Sequence, residues 1–122
     1  MLFQPPKDVA GIQLEKRDSA TIIVDKMWLA RENGELVIKG YVMAQSRGLD
    51  TTKARLLVSI RDGRGTELRS ATLGFTPQQI SRGYKSPGFS TFAWRLDPMP
   101  AGAASIVISA VDAPSESGSR KL

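Results

Sequence analysis

Two stretches rich in β-branched and aromatic residues, "ATIIVDKMWLA" (20–30) and "ELVIKGYVMA" (35–44), meet at Asn33-Gly34. No other feature narrows the fold as much. A two-residue type I′ loop needs positive φ at both central positions, and Asn-Gly supplies it at little steric cost. The loop then dictates the register. Glu32 lies opposite Glu35, Leu29 opposite Ile38, Trp28 opposite Lys39 and Met27 opposite Gly40. Strict alternation assigns the faces. Ile23, Met27, Leu29, Leu36, Ile38 and Val42 form the expected core face, with Asp25 sitting among them. Lys26, Trp28, Lys39 and Tyr41 share the other face with Val24 and Val37. Lysine stems over rings are ordinary cross-strand packing. The same four residues are also a secondary candidate binding patch.

A second hairpin joins "ARLLVSIRD" (54–62) to "ELRSATLGF" (67–75). A two-residue loop would set Ile60 across from Glu67. A three-residue loop, Gly63-Arg64-Gly65, sets Arg61 opposite Glu67, Ile60 opposite Leu68 and Val58 opposite Ser70. The second matches like with like, and puts Gly65 in the left-handed position of a type I turn plus bulge. Leu56, Val58, Ile60 and Leu68 then face the core. Arg55, Arg61 and Arg69 face outward with Leu57, Ala71 and Leu73, and form the first candidate interaction face.

The remaining segments complete an all-β pattern. "GIQLEK" (11–16) reads as a short edge strand. "FSTFAWRL" (89–96) places Phe92, Trp94 and Leu96 on a core face. "ASIVISAVD" (104–112) is apolar on both faces, as a central strand is. "TPQQISRGYKSPG" (76–88) is a connection in which Pro77 is expected to start a helical turn over Gln78–Ile80. It contains Arg82, Tyr84 and Lys85 and runs into Phe89; these four form a candidate recognition loop, cations beside rings. Residues 1–10, with Pro5-Pro6, read as an extended arm, and 113–122 as a flexible tail. Residues 11–112 are then one domain: an immunoglobulin-like antiparallel β-sandwich of about seven strands. An OB-like small barrel is the alternative.

The chain has no cysteine and no histidine. That removes disulfides, thiolate nucleophiles, the usual neutral-pH base and the commonest metal ligands. Lys85-Ser86 is adjacency without further support for Ser–Lys chemistry. Calcium needs six to eight oxygens, and the loop carboxylates Asp50 and Asp62 lie at opposite ends of one strand. No catalytic residue, metal site or cofactor is assigned. No apolar run is long enough for a membrane-spanning helix. The N-terminus lacks the apolar stretch of a signal peptide, so a periplasmic or other extracytoplasmic location is expected only if one has been removed.

Charge is uneven. The chain carries 17 basic and 12 acidic residues, net +5, but residues 39–95 hold ten Lys or Arg against Asp50, Asp62 and Glu67. Such a segment attracts an anionic partner.

"LVIKGYV", "ARLLVSIRDGRGTEL", "GFSTFAWRL" and "ASIVISAVD" together resemble the bacterial FxLYD-type domains and their immunoglobulin-like relatives, over residues 35–112. The chain departs from that pattern at Ser59-Ile60-Arg61-Asp62, where only the Asp-Gly turn matches, and in the long 76–88 connection. The resemblance implies an accessory or interaction module of envelope proteins and carries over no functional residue. The sequence therefore leads to a non-enzymatic structural or protein-interaction module, in an envelope or particle assembly, with a protein partner or self-association. The alternative is a single-stranded nucleic-acid-binding protein using the basic 39–95 segment.

Overall fold

The computed structural model describes residues 11–83, 86–96 and 98–112, with backbone only for 82–83 and 86–87. The expected arm at 1–10 and tail at 113–122 lie outside the described residues. The strands are β1 (Gln13–Arg17), β2 (Ile22–Glu32), β3 (Glu35–Ala44), β4 (Arg55–Asp62), β5 (Glu67–Leu73), β6 (Arg82–Gly83), β7 (Ser86–Pro87), β8 (Phe89–Arg95) and β9 (Ala103–Val111). Seven of them build two sheets, β1-β9-β4-β5 and β2-β3-β8, while β6 and β7 pair as a small separate ladder. The sheets pack face to face and neither closes, so the fold is an all-β sandwich, immunoglobulin-like in character, and not a barrel.

The β2–β3 hairpin has the register that Asn33-Gly34 demands. Glu32 pairs with Glu35, Leu29 with Ile38, Trp28 with Lys39 and Met27 with Gly40. Asn33 and Gly34 take φ of 53° and 82°. Further from the turn the faces differ from strict alternation. A bulge at Asp25 separates Val24 from Lys26. Ile22 and Val24 therefore point into the core before it, and Leu29 after it, while Ile23 turns away. The extra residue keeps the Asp25 carboxylate in water and removes the charge from the core face. The Asp18 carboxylate accepts the Val24 N–H at 2.9 Å next to the bulge.

β5 holds a second correction. Arg61 pairs with Glu67 as expected, but the ladder then slips, and Ile60 faces Arg69 rather than Leu68. Leu68 is the extra residue and is 37% exposed. Beyond it every β5 side chain changes face: Arg69, Ala71 and Leu73 turn inward, and Ser70 and Thr72 outward. A single bulge inverts all that follows because the side-chain period is two.

The core is Ile22, Val24, Leu29, Leu36, Ile38 and Val42 from one sheet, and Leu56, Val58, Ile60, Ile106 and Ile108 from the other. Phe92 and Leu96 of the β8 segment join it, with Trp94 half-buried at its margin. Each such side chain stabilises the fold by about 1.5–3 kcal/mol relative to exposure. Gly40 is essential to this packing. The Phe92 ring lies across it, and a Cβ there would fall 2.5 Å from Phe92 Cε2 and closer still to Phe92 Cζ and the Lys26 carbonyl oxygen.

The 74–81 connection forms no helical turn. Thr76 instead makes a two-bond bridge to Thr91, both bonds 2.9 Å, and Phe75 and Ile80 drop into the core. Gln78 and Thr51 lock the segment down. Gln78 Nε2 donates to the carbonyls of Thr51 (3.1 Å) and Ala54 (2.9 Å), and its Oε1 accepts the Phe75 N–H at 3.2 Å. The fully buried Thr51 hydroxyl donates to Gln78 O at 2.7 Å and accepts the Ile80 N–H at 2.9 Å. These bonds satisfy the chain where it crosses between sheets, and make a helical nucleus unnecessary. Finally, β1 runs parallel to β9, whereas every other ladder is antiparallel.

Candidate interaction surface

The outer face of β2-β3-β8 brings three aromatic rings together. Lys26 lies opposite Tyr41, Trp28 opposite Lys39, and Met43 opposite Phe89. Trp28, Tyr41 and Phe89 are therefore diagonal neighbours on three successive strands, the spacing that long and aromatic side chains bridge. Ring centroids are 5.5 Å apart for Trp28–Tyr41, tilted by 50°, and 5.1 Å for Tyr41–Phe89, edge to face at 77°. These are favoured aromatic geometries, worth about 0.5–1.5 kcal/mol per pair beyond area burial. Phe89 is nevertheless 39% exposed.

Lysines border the rings. Lys39 pairs with Glu32 through its ammonium group, and Arg95 with Glu35 at 3.0 Å. Lys26 has no ion-pair partner among the described residues. It lines two shallow hollows. One, about 320 Å³, is formed with Asp25, Tyr41, Met43 and Phe89; the other, about 280 Å³, with Leu14, Lys16, Met27 and Trp28. The secondary patch Lys26, Trp28, Lys39 and Tyr41 thus sits on one face, and Phe89 joins it. The sequence groups Phe89 with Arg82, Tyr84 and Lys85. Tyr84 and Lys85 lie outside the described residues, and Arg82 is described only as backbone in β6. The β3–β8 pairing that brings Phe89 to this face is not legible in the sequence, where only the opposite parity of Phe89 and Phe92 points to it.

The arginines occupy the other sheet and do not form one face. Arg55 and Arg61 lie on the outer side of β4. Arg69, displaced by the Leu68 bulge, lies on the inner side at the sandwich edge. Its Nη1 donates to the carbonyls of Leu96 (3.2 Å) and Pro98 (2.8 Å), and the guanidinium stands 5.3 Å from the Trp94 ring centroid. It clasps the two sheets together. Arg61 Nε donates to Ser59 Oγ at 3.0 Å, and Ser59 Oγ donates to Glu67 Oε1 at 2.7 Å. Arg55 Nη1 donates to the carbonyls of Thr52 (2.8 Å) and Ala54 (2.7 Å). Stacked sheets stand about 10 Å apart, so Arg55 and Arg61 and the aromatic row point to opposite sides of the molecule.

Two carboxylates are shifted. The Thr52 hydroxyl and N–H, with Lys53 nearby, hold Asp50 below the ordinary carboxylate value. Ser19, then Thr21, does the same for Asp112, whose Oδ1 accepts the Thr21 N–H at 3.0 Å. Both shifts favour the ionised form, opposite to what a general acid at neutral pH requires. Among the described residues no three of the acid, histidine or cysteine side chains cluster to hold a metal. Nor is any helix long and apolar enough to cross a membrane.

The class that fold and surface define is an all-β, two-sheet sandwich with an aromatic patch on one outer face. The chain matches no family model, no curated protein and no solved structure.

Proposed function

We propose that this chain is a non-enzymatic protein-interaction module whose contact surface is the outer face of β2-β3-β8. The observation that carries the reading is the Trp28–Tyr41–Phe89 row, exposed at Phe89 and bordered by Lys26. Aromatic residues are enriched at protein interfaces, and such a row offers large, rigid contact area with little entropy to lose. The kinship to FxLYD-type domains, and with it an envelope or particle setting, belongs to the same proposal. The single-stranded nucleic-acid alternative draws less support. Arg55, Arg61 and Arg69 are engaged within the chain, and Arg69 is turned inward.

The test is a photo-crosslinking phenylalanine analogue at position 89, expressed in the native host. The expected outcome is a discrete, protease-sensitive adduct, lost when Tyr41→Ser is added. A nuclease-sensitive adduct, or none, would overturn the proposal.

A further inference from the structure

We infer that the chain self-associates through the open edge of β5, by antiparallel pairing with β5 of a second copy. This does not rest on the aromatic face, which lies on the other sheet.

Hydrogen-bond direction identifies the groups involved. The Asp62 N–H donates to Thr66 O across the turn. Peptide groups alternate in direction along a strand, so Ile60, Val58 and Leu56 direct theirs toward β5. Their partners Arg69, Ala71 and Leu73 are used in that ladder. Ser70 and Thr72 therefore direct their N–H and C=O away from the sheet. No hydrogen bond among the described residues reaches these outward groups.

The other edges are guarded. β1 carries Glu15, Lys16 and Arg17 among five residues. β2 carries the Asp25 bulge and four charged residues in eleven. β8 is bridged by Thr76 at Thr91. Charge, bulges and covering segments are the usual protections of an edge. On β5 they end at the Leu68 bulge and at Arg69, which folds inward. Ser70-Ala71-Thr72-Leu73 is uncharged, free of proline and unpaired on one side.

The edge is complementary to itself. A two-fold axis at Ala71 sets Ser70 opposite Thr72 of the second copy, and Thr72 opposite its Ser70. These are the residues whose peptide groups point outward, so each pair exchanges two main-chain bonds. Their hydroxyls meet on the outer face, a favourable cross-strand pairing. Arg69 falls opposite Leu73 and Leu68 opposite Gly74, so no like charges are opposed. Leu57, 39% exposed, lies beside Thr72 on β4 and flanks the seam. The two four-stranded sheets become one continuous eight-stranded sheet. One strand per copy is a small interface, so the association is weak, in the micromolar range.

The test is sedimentation of the full chain from about 1 to about 300 μM, with amide exchange measured at both ends of that range. The expected result is a monomer–dimer equilibrium in which the Ser70 and Thr72 amides become protected only at high concentration. Thr72→Pro removes an N–H that the monomer does not use, a substitution that edge strands tolerate. It should weaken dimerisation at least about tenfold. If that variant misfolds, the exchange measurement on the unaltered chain decides alone. A monomer throughout, or a dimer whose Ser70 and Thr72 amides stay unprotected, would overturn the inference.

Discussion

Gly40→Ala should destabilise this protein, although an alanine in a strand is ordinarily better than a glycine. Gly40 has no positive φ, so backbone propensity alone favours the change by about 0.5–1 kcal/mol. Packing opposes it. The new methyl would stand 2.5 Å from Phe92 Cε2, and nearer to Phe92 Cζ and Lys26 O. Carbon contacts settle at about 3.5–4.0 Å, so the overlap is about 1 Å or more. The Lys26 carbonyl belongs to backbone in the β2–β3 ladder and cannot move freely. The Phe92 ring must give way, and it is a core side chain. Overpacking costs about 1–3 kcal/mol, and complete loss of a core phenylalanine about 3–5. The expected net loss is about 2–3 kcal/mol, which for a domain of this size lowers Tm by about 8–12 °C. Thermal and urea unfolding followed by circular dichroism and tryptophan fluorescence measure it. With Phe92→Ala already in place the cost should shrink, because part of the overlap is gone; the two changes are not additive. A Gly40→Ala variant as stable as the parent would refute this account of the packing.

Three further outcomes follow from the same geometry. Gln78→Ala removes the bonds to Thr51 O, Ala54 O and Phe75 N, and should cost about 2–3 kcal/mol in urea unfolding; a loss below half a kcal/mol would count against the latch. Arg69→Lys keeps the charge but loses the planar group that spans two carbonyls beside Trp94, so stability should fall by about 1 kcal/mol while binding of a polyanion such as heparin stays unchanged. Asp112 has a folded pKa below its unfolded value, so its contribution is present above the ordinary value near 3.8 and is lost as pH falls through the folded value. The stability difference between parent and Asp112→Asn, measured by urea unfolding from neutral pH downward, should therefore shrink in acid; a difference independent of pH would contradict the assignment.

One bulge takes a candidate face apart. Arg55, Arg61 and Arg69 look like one face under strict alternation, but Leu68 inserts between Glu67 and Arg69 and turns the third arginine inward. There the carbonyls of Leu96 and Pro98 and the Trp94 ring, all on the β8 side of the sandwich, receive its guanidinium. The aromatic row is the opposite case. Trp28 and Tyr41 are neighbours by the hairpin register alone, whereas Phe89 reaches them only because β8 pairs with β3, bringing Met43 opposite Phe89 across the 45 residues between them.

By itself the sequence determined what local chemistry can specify. Asn33-Gly34 selected the turn and the first hairpin's register, because only certain residues tolerate positive φ at both positions. Alternating β-branched residues specified an all-β chain, and the missing cysteine and histidine removed whole classes of chemistry. Only the tertiary structure decided the parallel β1–β9 ladder, the Gln78–Thr51 latch in place of a helical turn, and the bulges at Asp25 and Leu68. Each depends on a distant partner. A bulge relieves a charge from a face only once that face is buried, and a latch forms only where the second loop arrives. Such choices are energies of contact between remote segments, and a local pattern contains no term for them.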